Sequence, residues 1–174
     1  MKTIFSLWLL SLFSLSALFA QEEKMNNQTL GAIIAVLSDT VQGAPGGWEF
    51  TVNSVPMLCI TDEVHNRMRI ISPVREMKDV SEEQLKAAME ANFHTALDVK
   101  YAISNDILWV AFIHPLGELT KDQVVDAIKQ VFFGNLTFGT TYTSTELNFP
   151  TQEERKEQQK ERKKQEEKDK TSKS

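Results

Sequence analysis

The histidines and the cysteine are the residues whose chemistry could support catalysis or metal binding, and their spacing argues against both. The chain has three histidines, His65, His94 and His114, and one cysteine, Cys59. None of the histidines has a second histidine or a cysteine at the spacing of a zinc site, which needs several nitrogen or sulfur ligands. We therefore expect ordinary surface or hydrogen-bonded histidines and no metal ligands.

A nucleophilic role for Cys59 is equally poorly supported. The residue lies in the apolar run 55–61, and a reactive thiol needs a lowered pKa from a nearby base or helix N-terminus, which the sequence does not place there. The sequence also contains no phosphate-binding glycine loop and no Gly-x-Ser-x-Gly motif. We predict a buried, inert thiol, no catalytic residues and no cofactor.

Residues 1–20 have the composition of an export signal. Lys2 precedes an apolar stretch, small residues stand near Ala20, and polarity changes abruptly at Gln21. This pattern predicts a signal peptide that is cleaved after Ala20, a periplasmic or secreted protein, and no membrane association after cleavage. The alternative is an uncleaved anchor, since a run of about 17 residues reaches the lower limit of a membrane span.

The remaining chain divides into a body, residues 21–149, and a tail, residues 150–174. Residues 21–150 carry 9 Lys/Arg and 17 Asp/Glu, a net charge of −8, which argues against nucleic-acid binding. Residues 151–174 contain no aliphatic or aromatic residue and cannot contribute to a core. We predict a charged tail that is flexible or helical; the alternative is a docking segment for a charged partner.

Hydrophobic periodicity predicts a single α+β domain with the order α-βββ-α-ββ-α. Short links between the strands predict a five-stranded antiparallel sheet packed by helices. Ser81 and Thr120 are predicted to cap the second and third helices. The predicted elements are a helix over 25–42, strands over 48–53, 55–61 and 67–74, a helix over 81–97, strands over 99–103 and 107–113, and a helix from 120 to about 135.

The predicted strands 55–61 and 107–113 are apolar on both faces, which leaves a surplus of apolar surface. The first and third helices would cover one face of the sheet, and only the second helix remains for the other. We expect that second face to bind a partner or a second copy, because a large apolar area commonly marks an interaction site. The alternative is that the second helix and residues 136–149 cover it fully. The predicted partner-binding residues are Leu58, Ile60, Val110 and Phe112.

Three segments carry a resemblance to a known family. They are the strand Arg67–Val74, the helix Ser81–Phe93, and the strand 107–115 with the helix entry that follows at Leu119–Val124. Together they resemble the type III secretion chaperone-like fold, and more closely its YbjN-type branch, over about residues 25–135. The resemblance implies an acidic, non-enzymatic, homodimeric protein that binds unfolded protein segments along apolar surface.

These observations favour an exported, non-enzymatic protein that resembles a peptide- or protein-binding chaperone of the bacterial envelope. Its partner would be a protein or peptide segment whose identity the sequence does not specify. A structural homodimer without a client is the alternative, and an enzyme is the least favoured hypothesis.

Overall fold

The computed structural model describes residues 24–145, which contain three α-helices and six β-strands. The predicted signal peptide and tail lie outside these residues, so both stay predictions. The element order is α-ββββ-α-ββ-α. The α+β class is therefore confirmed, and the strand number is corrected from five to six.

The helices are α1 (Asn27–Leu37), α2 (Glu82–His94) and α3 (Lys121–Leu136), with a 3₁₀ turn at Met77–Asp79. The strands are β1 (Thr40–Ala44), β2 (Gly47–Val52), β3 (Val55–Asp62), β4 (Arg67–Glu76), β5 (Lys100–Ser104) and β6 (Ile107–His114). They form one antiparallel sheet in the order β1-β2-β3-β4-β6-β5. None of the helices within residues 24–145 is long and apolar enough to cross a membrane.

The starts of α2 and α3 follow the predicted caps. The hydroxyls of Ser81 and Thr120 accept hydrogen bonds from the backbone N–H groups of Gln84 and Gln123. The glutamine side chains in turn accept from the backbone N–H groups of the two caps. Each helix thus satisfies two of the donors that its first turn would otherwise leave unpaired.

The strand missed by the sequence prediction is β1, whose first three residues fall in the helix predicted over residues 25–42. The Ser38 hydroxyl and backbone N–H both donate to the Ile34 carbonyl, and the extended backbone of Ser38 ends α1 there. Val41 was assigned to the apolar stripe of the helix. It instead pairs with Phe50 across the β1–β2 hairpin.

Helices α1 and α3 pack on one face of the sheet, as predicted, and the core lies between them and the strands. Every second side chain along each strand points into this layer. The buried strand residues are Trp48, Phe50, Met57, Cys59, Met68, Ile70, Ser72, Tyr101, Leu108, Val110 and Phe112.

Helix α2 was expected to cover the opposite face, and this expectation is wrong. The helix lies against β5 at the edge of the sheet. The Asn92 side chain accepts a hydrogen bond from the Tyr101 N–H at 2.7 Å and donates one to the Tyr101 carbonyl at 3.1 Å. Asn92 thereby pairs with the outward backbone groups of one residue of β5, Tyr101, in the way that a residue of a neighbouring strand would.

The apolar side of α2, which was expected to pack on the sheet, is largely exposed to solvent. Met89 and Phe93 are 44% and 87% exposed, whereas only Ala88 and Ala91 of this helix are buried. The small alanine side chains allow the helix to approach the domain closely.

Residues 137–145 form turns, and they lie on the core side of β5. The Phe138 ring is tilted against the Tyr101 ring at a centroid distance of 5.7 Å, and the Tyr142 ring meets it edge to face at 6.1 Å. The Thr95 hydroxyl donates to the Tyr142 carbonyl and ties this segment to the end of α2. The described part of the segment 136–149 therefore does not cover the opposite face of the sheet.

Candidate functional site

The face of the sheet opposite α1 and α3 carries no helix among residues 24–145. Residues paired directly across neighbouring strands share a face, so the pairing registers identify its members. We call this surface the open face. One of its rows crosses all six strands through Gln42, Glu49, Leu58, Ile71, Ala111 and Lys100. A second row, on one side of it, contains Ile60, Arg69 and Ile113. A third row, on the other side, contains Pro73, Trp109 and Ala102.

The centre of the open face is apolar and accessible. Ile60 and Ile113 are 44% and 66% exposed, and Leu58, Ile71 and Trp109 are half-buried by their neighbours within the sheet. Contiguous apolar side chains on one surface commonly mark a site of protein interaction, whereas single exposed ones do not. The surplus of apolar surface predicted from the sequence is therefore present on this face.

The structure brings together only two of the four predicted site residues. Leu58 and Ile60 lie on the open face, but Val110 and Phe112 are 0% and 6% exposed in the core. The prediction that all four share a face is wrong by one position along β6. The open-face residues of this strand are Ile107, Trp109, Ala111 and Ile113.

This error has a simple physical cause. Side chains alternate between the two faces of a strand, so a shift of one residue exchanges every side chain of β6. Because 107–113 is apolar at every position, its pattern does not indicate which set points inward. A role in partner binding stays a prediction for Leu58 and Ile60, whereas a buried Val110 offers no surface to a partner of the folded domain.

Two shallow depressions lie over the β1–β2–β3 part of the open face. They have volumes of about 500 and 360 Å³, and both include Gln42, Glu49 and Leu58 in their lining. Small-molecule sites are usually enclosed clefts that bury most of the ligand. Adjoining shallow depressions suit a broad or extended partner better.

The carboxylates near the open face have partners, but its arginines do not. Glu49 accepts a hydrogen bond from the Gln42 amide at 2.7 Å. Asp62 accepts from the His65 N–H, and this bond and a second one with the His65 ring lower the pKa of its carboxyl. Neither the Arg67 nor the Arg69 guanidinium forms an ion pair or hydrogen bond with any residue of the described part of the chain.

The two edges of the sheet differ. At the outer edge of β5 the Asn92 side chain bonds to Tyr101, whereas β1 pairs with β2 alone among the strands of residues 24–145. All five residues of β1 are exposed, and none is charged. A strand edge with unpaired N–H and C=O groups can accept an added strand. The edge at β1 therefore borders the open face with a second surface available for contact.

The side chains suited to acid–base or metal chemistry are dispersed. His65 lies in the β3–β4 turn, His94 ends α2, and His114 ends β6. Within residues 24–145, no group of three or more His, Cys, Asp or Glu side chains is placed to hold a metal ion. The open face is therefore the candidate site.

Cys59 is fully buried, and we expect its thiol to be inert in the folded protein. Burial raises the pKa of this thiol from 9.0 to about 12, so almost no thiolate exists at neutral pH. We predict that Ellman's reagent at about pH 8 labels Cys59 only as fast as the protein unfolds, and at once in concentrated guanidinium chloride. Rapid labelling of the native protein would contradict this burial.

The same shift predicts a dependence of stability on pH. Because the folded pKa lies above the unfolded one, the unfolded state releases this proton first as the pH rises. The contribution of Cys59 to the free energy of unfolding should be constant below about pH 9 and should decrease from there toward pH 12. Urea unfolding of the Cys59→Ala variant should show a smaller decrease over this range than the wild type.

Comparison with known proteins adds a similarity to solved structures. No protein-family model matches the chain, and no curated protein matches it. The chain is similar to a chain in the solved HopA1–SchA chaperone–effector complex. The TM-score is 0.49 and the identity 10%, over 64% of this chain and 94% of that chain. This similarity is too low to establish a family, so the YbjN-type resemblance stays an expectation.

Proposed function

We propose that this protein is an exported, non-enzymatic, chaperone-like protein that binds a protein segment on the open face of its sheet. The observation that carries the proposal is the exposure of Ile60 and Ile113 beside Trp109, on a face without a helix in residues 24–145. Transfer of such side chains from water into an interface is favourable, so the face gains free energy from a partner with apolar side chains.

The proposed location outside the cytoplasm is supported by residues 1–20, whose pattern is typical of a secretory signal. In that compartment the partner would be a periplasmic or secreted polypeptide. The lone cysteine agrees with this setting because Cys59 has no intramolecular disulfide partner and is buried. The fold is therefore held by its packing in either redox environment.

Panning of a random peptide library on the purified protein tests the proposed function. We expect peptides rich in apolar residues to be enriched, and the affinity of a selected peptide to decrease at least about tenfold in Ile60→Asp. The matched control is Val36→Asp, because Val36 is 83% exposed on α1, away from the open face. The proposal fails if no peptide is enriched, or if both variants bind the selected peptide as the wild type does.

A homodimer formed through the open face is a second candidate, favoured by one observation. The face carries both a carboxylate, Glu49, and an unpaired guanidinium, Arg69, and a two-fold interface requires a self-complementary surface. Light scattering distinguishes the two candidates. A dimer that Ile113→Asp converts to monomers, together with no peptide binding, would favour this second candidate.

A further inference from the structure

We infer that the segment bound on the open face presents a carboxylate to Arg69 and apolar side chains to Ile60 and Ile113 on either side of it. The inference rests on the proposed function and adds the chemistry of the partner.

Arg69 lies within the open face between two apolar side chains. Its direct cross-strand neighbours are Ile60 on β3 and Ile113 on β6, so the cation lies within an apolar row. Side chains opposite each other on neighbouring strands have Cβ atoms about 5 Å apart. A segment that packs on both isoleucines therefore also covers Arg69 and removes water from its guanidinium.

Covering an unpaired charged group costs free energy, because the group loses its water. A guanidinium that loses its water without gaining acceptors is strongly unfavourable, whereas a carboxylate can accept two parallel hydrogen bonds from it. Arg69 has no ion pair in the described part of the chain, and neither Glu49 nor Asp62, the nearby carboxylates, forms one with it. Since residues 24–145 supply no acceptor, we expect the partner to supply it.

The open face differs in charge from the remainder of the body. Residues 21–150 have a net charge of −8, yet Arg67 and Arg69 stand two residues apart on the same side of β4 without partners. A generally acidic protein repels acidic segments except at such a place. The apolar neighbours of Arg69 further select a segment with flanking apolar side chains over a free anion.

Charge-reversal panning tests this inference. A random dodecapeptide library is panned on the wild type, on Arg69→Glu, and on the control Lys129→Glu, whose exposed lysine lies on α3. We expect Asp or Glu between apolar residues from the wild type and from the control. We expect Lys or Arg in the same place from Arg69→Glu. Circular dichroism should show all three proteins folded.

A binding measurement then gives the size of the effect. One selected peptide and its version with Asp or Glu replaced by Asn or Gln are titrated calorimetrically into the wild type and into Arg69→Gln. The amide peptide should bind the wild type at least about tenfold more weakly, and the difference should nearly vanish in Arg69→Gln.

The outcomes separate this inference from the proposed function. Enriched peptides that are apolar, uncharged and the same for all three proteins would overturn the carboxylate and leave the binding function standing. Absence of any enriched peptide on the wild type would overturn both. Self-association through this face that excludes peptides would also overturn the inference, because the occupant would then be a second copy.

Discussion

An aspartate in place of Val110 should unfold the protein, whereas an aspartate in place of Ile113 should leave it folded. Val110 is fully buried under α3, and an unpaired carboxylate there should lower the free energy of unfolding by more than about 4 kcal/mol. Ile113 is 66% exposed on the open face, so its replacement should change the same quantity by less than about 0.5 kcal/mol. Urea unfolding followed by circular dichroism measures both.

The pair of variants tests which side chains of β6 face the core, because both substitutions introduce the same side chain into the same strand. Val110→Thr is a useful intermediate. It keeps the shape of valine but buries a hydroxyl, so it should remain folded with a loss of about 1–3 kcal/mol. A stable Val110→Asp variant with an unfolded Ile113→Asp variant would mean that β6 points the other way.

Replacing Asn92 with alanine should lower the free energy of unfolding by about 2–3 kcal/mol. The substitution removes the two hydrogen bonds to Tyr101 and leaves a backbone N–H and C=O at the β5 edge without their partner. The helix itself should not suffer, since alanine has the higher helix propensity. The midpoint of urea unfolding should therefore decrease while the slope stays constant.

Glu90→Ala is the matched control for Asn92→Ala. Glu90 is exposed in the same helix and pairs only with Lys86 at 3.8 Å, so we expect a loss below about 0.5 kcal/mol. Equal losses in the two variants would show that Asn92 acts through the helix alone, without a specific role at the edge of the sheet.

The parts of the fold that depend on local interactions could be predicted from the sequence. The capping positions Ser81 and Thr120 fix the starts of α2 and α3 through bonds to residues only three positions away. The alternating pattern of the predicted strand 67–74 places Met68 and Ile70 on the face opposite Arg67 and Arg69, as the structure does. In both cases the signal lies within one element.

The errors concern long-range arrangement. The sequence shows that α2 is a helix, but its place at the β5 edge depends on Asn92 meeting Tyr101 after the chain has folded back. Strand β1 escaped prediction because Val41 fits a helical spacing after Leu37, whereas the bonds from Ser38 to Ile34 end the helix between them.

The candidate site shows the same division. Leu58 and Ile60 lie on one face as predicted, because residues two positions apart on a strand share a face. Arg69 could not be singled out, since its position between Ile60 and Ile113 follows from the pairing of three strands that are far apart in the sequence. Trp109 and Ile113 were not predicted, because a strand that is apolar at every position does not show which of its side chains face the core.

The two edges of the sheet differ in how readily they can accept a further strand. An edge strand with unpaired N–H and C=O groups can pair with another chain. At β5 the Asn92 side chain already bonds to the outward N–H and C=O of Tyr101, whereas β1 pairs with β2 alone among the strands of residues 24–145. Addition of a strand to this sheet therefore has a preferred direction, outward from β1.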